Sequence, residues 1–354
     1  IVKDYAGQDA GLRELQTWLK AQLASKSVSP GAPLLPRYAA KYLQDADANF
    51  TVLRHYLDAF EMRSVATKMG AVFAGKLPHA ATLVAGGVTE RVTALKITQF
   101  KSFLSQLQSF IHHAYLPDAV AVGRAFPEYF STGRGCGNFL SYGAFAESAD
   151  GSAKLFPAGV VIDGRLNPLA PDAITEDVAQ SWFSSASGRR PSEGETTPAP
   201  GKAGAYSWLK APRYLGQVME VGPLARTLVA YQDGRNGGFR ATVDNLLKTL
   251  GKEPKDLVSV MGRHAARALE CKLVADRCAE WLEQLAPDSP TSTECAVPEA
   301  ARGFGLTEAA RGALGHWLEI SGGKIRNYQC VVPTTWNCSP RDTQGVPGAM
   351  EQAL

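Results

Sequence analysis

Hydrophobic residues recur at helical spacing along the first third of the chain. Between Ala10 and Ser25, four leucines follow one another at steps of three or four residues, which is the spacing of one face of an α-helix. A second helical pattern runs from about Arg37 to Phe73, and a third from Val88 to about Ala114. Three long amphipathic segments in succession predict a helical bundle at the start of the chain.

The pattern changes toward alternation between Gly133 and Arg165, which predicts a small antiparallel sheet. The stretch 184–205 is rich in Ser, Gly, Pro and Thr, so we predict that 133–215 forms a β-containing excursion with a long loop. The later patterns predict helices at Pro223–Tyr231, Thr242–Leu250, Leu257–Leu285 and Thr307–Leu318, and a strand at Tyr328–Pro333. The expected fold class is therefore mainly α (α+β), with a minor antiparallel β element, in a single domain spanning residues 1–354.

Composition narrows the classes of function. The chain has 354 residues with 37 Lys and Arg against 34 Asp and Glu, spread without basic blocks, so no nucleic-acid partner is expected. No apolar run approaches the length that spans a bilayer, so we expect no transmembrane segment of its own. The six cysteines include no C-x-x-C pair, which removes the common zinc and iron–sulfur signatures.

Residue 1 is Ile, and 346–354 resembles the opening of a helix, so we expect an internal piece of a longer chain.

Two segments are dense in residues that bear chemistry, and each allows two interpretations. His79 follows Pro78 between two predicted helices, where an imidazole serves either as an ordinary core histidine or as a ligand. Glu220 and Arg226 flank a Gly-Pro pair, which is a normal helix start. Arg226 is then either a structural ion-pair partner or part of a site.

A third segment surrounds Arg311. Thr307 resembles a helix N-terminus, and the small residues Gly312 and Ala313 would let a ligand approach Arg311 closely. A guanidinium beside exposed helix-start N–H groups suits an anion. A buried arginine in a salt bridge is the alternative.

Six motifs in these regions resemble one family in order and spacing. They are G-K-x-P-H…G-G-V, S-W-L-K-A-P-R-Y, E-V-G-P-L-A-R, G-R-x-A-A-R-A-L-E, T-E-A-x-R-G-A-L-G-H-W and N-Y-Q-C-V-V-P-T-T-W-N-x-S-P-R-D. Together they resemble the large, catalytic subunit of nickel–iron hydrogenases of the uptake or periplasmic type, including the selenium-containing relatives. The resemblance covers nearly the whole chain.

The resemblance implies reversible heterolytic cleavage of H2 to protons and electrons at a nickel–iron centre. In that family four cysteine thiolates hold the nickel, and the iron carries one carbonyl and two cyanides. Arg311 matches the arginine over this centre, and Thr334 matches the hydroxyl that serves one cyanide. Buried cyanide nitrogens need such hydrogen-bond donors. The pocket around the diatomic ligands would be completed by Val332, Pro333, Leu314 and Ala310, where Ala310 replaces the family's usual proline.

The resemblance also implies further cofactors and a partner. The backbone carbonyl of Cys330 matches a ligand of a magnesium or iron ion, as suits a hard cation. His79 matches a histidine near the proximal iron–sulfur cluster of a small subunit, which would accept the electrons. Glu220, Arg226 and His316 match patterned positions, to which we assign a structural role.

The sequence departs from the family by lacking its two cysteine motifs, R-x-C-G-x-C and D-P-C-x-x-C-x-x-H. We therefore predict that this polypeptide alone binds no nickel and is inactive. The alternative function is a non-catalytic, hydrogenase-related scaffold or assembly subunit without metal. The stretch 133–138 resembles periplasmic or membrane-associated members, in which the small subunit directs export.

Overall fold

The computed structural model describes residues 5–25, 41–148 and 150–354. They divide into two compact units. The helical unit comprises Ile1–Ala125 and Cys271–Cys295, and the mixed unit comprises Phe126–Glu270 and Ala296–Leu354. The predicted single domain stays a prediction.

The helical unit is built from long helices with side-chain caps. Asp9, Asp45 and Thr93 each accept a hydrogen bond from a backbone N–H of the first turn, which satisfies a donor that has no partner inside the helix. The elements are α1 (Ala10–Ala24), α2 (Ala46–Ala74), the strand pair β1 (Leu83–Val84) and β2 (Gly87–Val88), α3 (Ala94–Phe110) and α4 (Leu116–Ala125). The three predicted helices are present, although 37–40 lie outside the described residues. A π-helical turn, Ile111–Tyr115, joins α3 to α4.

The described residues of the mixed unit form three antiparallel sheets. Their strands are β3 (Phe139–Ala146), β4 (Lys154–Ile162) and β5 (Arg165–Asn167); β6 (Ile174–Asp177) and β7 (Ala211–Tyr214); and β8 (Ala300–Ala309), β9 (Gly312–Ser321) and β10 (Lys324–Val331). The helices are α5 (Pro223–Asp233), α6 (Gly237–Leu250), α7 (Val260–Leu282), α8 (Pro333–Asn337) and α9 (Ala349–Ala353). The unit boundary falls within α7. The mainly helical α+β class is confirmed, with more strand than the sequence predicted.

One core joins the sheets of the mixed unit. Leu140 and Tyr142 of β3 and Ala313 and Trp317 of β9 are buried in one cluster with Trp336 of α8. Burying such apolar surface is the main stabilising contribution to a fold of this kind. The core therefore brings β9 and α8, which carry the motifs of interest, onto one packed framework.

The predicted helix Thr307–Leu318 is wrong. Thr307 lies in β8 opposite Leu314 of β9, and Ala309 lies opposite Gly312. Along β9, Ala313, Gly315 and Trp317 are buried while the residues between them are less so, which is the period of a strand. Thr307 is thus no helix N-terminus, and no helix-start N–H groups accompany Arg311. The predicted strand Tyr328–Pro333 is also shifted, because Pro333 begins α8.

No helix in the described part of the chain is long and apolar enough to cross a membrane.

Candidate active site

Two glycines allow the segment before α5 to touch the turn between β8 and β9. Gly222 has a φ of 123°, and a Cβ added there would lie 2.9 Å from the carbonyl oxygen of Arg311. Gly312 has a φ of 137°, and a Cβ there would lie 2.8 Å from the backbone nitrogen of Gly222. Only glycine accepts both the positive φ and this distance. The two motifs E-V-G-P and R-G-A-L are therefore in direct backbone contact.

Arg226 of α5 is buried beneath the same turn, with 2% of its side chain exposed. It makes a bidentate pair with Glu270 of α7, at 2.8 Å from Nε and 2.7 Å from Nη2, and a second ion pair with Glu308 of β8. Burial lowers the pKa of Arg226, but the two carboxylates outweigh it and raise that pKa overall. A guanidinium fixed by two carboxylates on different elements has little freedom to move.

Glu220 and Arg263 form a further ion pair of the site. The Glu220 carboxylate accepts from Arg263 Nε at 2.7 Å and from Nη2 at 2.8 Å, and this pairing raises the pKa of Arg263. Arg263 Nη1 also donates to the carbonyl of Gly133. The pair thus ties α7 to the glycine-rich stretch 133–138.

Asn337, the last residue of α8, fixes the segment before α5 from a third side. Its Oδ1 accepts from the backbone N–H of Val221 at 2.9 Å, and its Nδ2 donates to the carbonyl of the same residue at 2.9 Å. The Asn337 amide thus satisfies both the N–H and the carbonyl of Val221, as a neighbouring β-strand would.

These elements surround a cavity of about 280 Å³. Its charged lining is Glu220, Arg263, Arg267 and Arg311, which gives one negative and three positive charges, a net of +2. The Arg311 side chain is exposed, and within the described residues it has no ion pair, which excludes the buried salt bridge considered from the sequence. The remaining lining is Val221, Pro223, Leu224, Asn337, Ala349, Met350 and Ala353. The cavity is therefore suited to an anionic occupant.

The family model of nickel-dependent hydrogenases matches residues 1–354. The chain belongs to the nickel-dependent hydrogenase family.

Curated relatives of this family agree in subunit type. The chain is 40% identical over 342 residues to the periplasmic NiFeSe hydrogenase large subunit of Desulfomicrobium baculatum, covering 91% of this chain and 66% of that protein. It is 36% identical to the uptake hydrogenase large subunit of Bradyrhizobium diazoefficiens, and the match covers 97% of this chain and 65% of that protein. It is 35% identical to the hydrogenase-1 large chain of Escherichia coli, and that match covers 89% of this chain and 61% of that protein. The chain thus spans slightly less than two thirds of these relatives.

Solved hydrogenase structures share the fold. The H2-activated NiFeSe hydrogenase of D. baculatum superposes with a TM-score of 0.84 at 40% identity, covering 92% of this chain and 69% of that one. The as-isolated oxidised NiFeSe hydrogenase of Desulfovibrio vulgaris Hildenborough superposes with a TM-score of 0.83 at 37% identity, covering 91% of this chain and 68% of that one.

Some of the predicted site residues lie at the cavity and others do not. Arg311 and Glu220 line the cavity. Ala310 lies in the same exposed turn as Arg311, and Arg226 supports that turn. The other predicted pocket residues do not line the cavity: Val332, Pro333 and Thr334 at the start of α8, and Leu314 on β9. Their roles toward diatomic ligands stay predictions.

His316, Tyr328 and Cys330 meet on one face of the β9–β10 pair. His316 Nδ1 lies 2.5 Å from the Tyr328 hydroxyl and 3.4 Å from Cys330 Sγ. The predicted role of the Cys330 carbonyl toward a metal ion is not tested by these side-chain contacts. His79 lies in the helical unit, where it is exposed with a φ of 63°, so it is not the core histidine considered from the sequence.

Sequence reasoning missed three contributors to this candidate site. Arg263 and Arg267 lie four residues apart on α7, which places them on one helix face, and both line the cavity. Their motif, G-R-x-A-A-R-A-L-E, does not by itself indicate a role for either arginine. Asn337 lies inside the motif N-Y-Q-C-V-V-P-T-T-W-N-x-S-P-R-D, and its backbone partner is 116 residues away, which no local pattern could indicate.

A buried polar cluster next to Cys330 was also missed. Lys210 Nζ donates to Glu176 Oε2 at 3.3 Å and to Gln329 Oε1 at 3.0 Å. Burial raises the pKa of Glu176, while Lys210 opposes that rise. The signal in the sequence was the lysine of S-W-L-K-A-P-R-Y, a charge within an apolar motif.

The described residues hold no group of three or more His, Cys, Asp or Glu side chains that could bind a metal ion. Cys136 lies in the stretch that Arg263 contacts, but burial, with the nearby Glu220 charge adding to it, raises the pKa of its thiol to about 11. Since thiolates are the form that binds metals, Cys136 is a poor candidate ligand.

We expect Cys136 to resist alkylation in the folded chain. With a pKa of about 11, only about one thiol in a thousand is ionised at pH 8, and the side chain is partly covered. Iodoacetamide at pH 8, followed by peptide mass spectrometry, should label it at least about a hundredfold more slowly than the exposed Cys295. Equal rates for the two cysteines would contradict the burial of Cys136.

Proposed function

We propose that this chain forms the part of a hydrogenase large subunit that encloses the nickel–iron centre, in an enzyme that catalyses H2 ⇌ 2H+ + 2e−. One observation carries the proposal. Arg311 projects from a turn that the sequence-distant motif E-V-G-P-L-A-R holds in place, and it lines a cavity with a net charge of +2.

The residues present fit one wall of such a centre, and they do not fit its ligand set. A nickel–iron centre with four thiolates and two cyanides is anionic, so three guanidiniums around about 280 Å³ suit its charge. No thiol lines the cavity among the described residues, so the nickel ligands come from outside the lining given above. When bound, the centre supplies the redox chemistry of H2 cleavage.

The chain's own residues supply orientation and charge. A guanidinium such as that of Arg311 stabilises negative charge that develops beside it, and a backbone turn held in place lowers the reorganisation that this requires. Thr334, at the start of α8, is proposed to donate to a cyanide, with Val332, Pro333, Leu314 and Ala310 shaping the space around the carbonyl and cyanide ligands. Apolar neighbours of this kind control solvent access to a metal.

The proposal also includes a partner subunit and a separate magnesium or iron ion. A small subunit with iron–sulfur clusters would receive the electrons, with its proximal cluster near the exposed His79. The Cys330 backbone carbonyl would hold a magnesium or iron ion. We place the complete enzyme in the periplasm or at the membrane through that small subunit.

The direct test uses the complete large subunit produced together with its small subunit. We expect H2-dependent reduction of a viologen dye, together with infrared bands of metal-bound cyanide and carbonyl. A preparation with full nickel content and no H2 oxidation or evolution would refute the proposed activity.

The isolated 354-residue polypeptide should behave differently. We expect elemental analysis to find far less than one nickel per chain, because the described residues offer no cluster of ligands and nickel needs several thiolate or imidazole donors. Stoichiometric nickel with cyanide bands in the infrared would show that this chain carries the ligands after all.

A further inference from the structure

The turn that carries Arg311 is not one that its own residues favour. Ala310 and Arg311 connect the paired residues Ala309 and Gly312 as a two-residue hairpin turn. The favoured turns of this length need positive φ at their central residues, which Asn and Gly accept. Neither Ala310 nor Arg311 has a positive φ. The preferences of Ala310 and Arg311 therefore do not account for this turn, and contacts from elsewhere in the unit add to its stability.

Arg226 supplies those contacts. Its Nη1 donates to the carbonyl of Ala309 and its Nη2 to the carbonyl of Ala310, each at 3.0 Å. These are the two peptide carbonyls directly before Arg311. The Arg226 side chain is 2% exposed, so water does not compete for these hydrogen bonds in the folded unit.

The guanidinium is itself held from three elements. It extends from α5, pairs with Glu270 of α7, and pairs with Glu308 of β8. The other oxygen of Glu308 accepts from the backbone N–H of Tyr142 on β3 at 2.7 Å. The turn is thus connected through one side chain to α5, α7 and β8, and through Glu308 to β3.

We propose that Arg226 is a positioning residue for Arg311. It fixes the backbone from which the Arg311 side chain enters the cavity, through hydrogen bonds to the carbonyls of Ala309 and Ala310 and ion pairs with Glu270 and Glu308. Its effect on turnover rests on the proposed function, but its effect on the turn does not. Lysine cannot replace it, because a single ammonium lacks the planar fork that reaches two carbonyls and two carboxylates at once.

The test compares Arg226→Lys with a matched control, Arg213→Lys, in the complete enzyme. Arg213 is also buried, pairs with Asp342 at 2.8 Å, and donates to the carbonyls of Pro340 and Val346. It therefore has the same chemistry but holds the loop 339–346. Three quantities are measured: amide hydrogen exchange of peptides covering 306–314, nickel content, and kcat and KM for H2.

For Arg226→Lys we expect exchange in 306–314 to rise about tenfold or more, as the loss of a hydrogen bond to a charged group predicts. The kcat should fall about tenfold at unchanged nickel content, with little change in KM. For Arg213→Lys we expect faster exchange in 339–346, unchanged exchange in 306–314, and nearly unchanged kcat.

Unchanged exchange in 306–314 for Arg226→Lys would overturn the proposal, and so would equal effects of the two variants on that segment and on kcat. If Arg226→Lys fails to fold, Glu270→Gln keeps the volume and removes one charge from the guanidinium. It should raise exchange in the same segment by a smaller factor, and no change there would also overturn the proposal. A wild-type enzyme without H2 activity would refute the proposed function, while the exchange data would still decide the positioning role.

Discussion

Replacement of Arg311 by lysine should leave the metal centre assembled and abolish most of the H2 turnover. The Arg311 guanidinium lines the cavity, and no carboxylate among the described residues engages it. Its charge is therefore directed to whatever occupies the cavity. Lysine keeps the charge but offers a flexible, strongly hydrated ammonium in place of a rigid fork. Losing one directed electrostatic contact to the transition state typically costs a factor of about a hundred to a thousand in kcat.

The measurement for Arg311→Lys is kcat for H2 oxidation in the complete enzyme, at nickel content and infrared cyanide bands matched to wild type. Arg302→Lys is the control, since Arg302 lies on β8 of the same hairpin, is 73% exposed and pairs with Glu319. We expect that control to keep wild-type turnover. Near-normal H2 oxidation by Arg311→Lys would remove Arg311 from the mechanism.

Substitution of Gly312 by alanine should destabilise the mixed unit more than other small changes on the same hairpin. The added Cβ would lie 2.6 Å from Val221 Cγ2 and 2.8 Å from the Gly222 nitrogen, and the φ of 137° disfavours any side chain. Backbone strain of this kind costs about 1–3 kcal/mol, and forced overpacking costs about the same again. The expected loss is therefore about 3 kcal/mol.

Thermal unfolding of the complete protein, followed by circular dichroism, measures the effect of Gly312→Ala. We expect the transition temperature to fall by about 5 °C or more. Gly303→Ala is the matched control, because Gly303 lies in β8 with nothing within 4 Å of an added Cβ. Its effect should stay within about 0.5 kcal/mol. If both variants unfold at the wild-type temperature, the close contact between the two motifs is not important for stability.

The wrong helix prediction at the candidate site has a physical cause. A threonine followed by small residues resembles a helix start, so the local pattern predicts a helix at Thr307–Leu318. A short stretch with Ala313 and Trp317 four residues apart fits a helix face and also the alternation of a strand. No Asn-Gly or Asp-Gly pair marks the hairpin turn. Its support comes from Arg226, which lies 84 residues from Ala310.

The sequence alone determined the family, through six collinear motifs. It also determined the long helices, because their caps and periodic leucines are local features that act within a few residues. Which motifs meet was decided by the tertiary structure. The contact of Gly222 with Arg311, the pairing of Glu220 with Arg263 and the amide bonds of Asn337 to Val221 all join residues tens of positions apart in the chain. Such pairings depend on how sheets and helices pack, and packing energy is not encoded in any single segment.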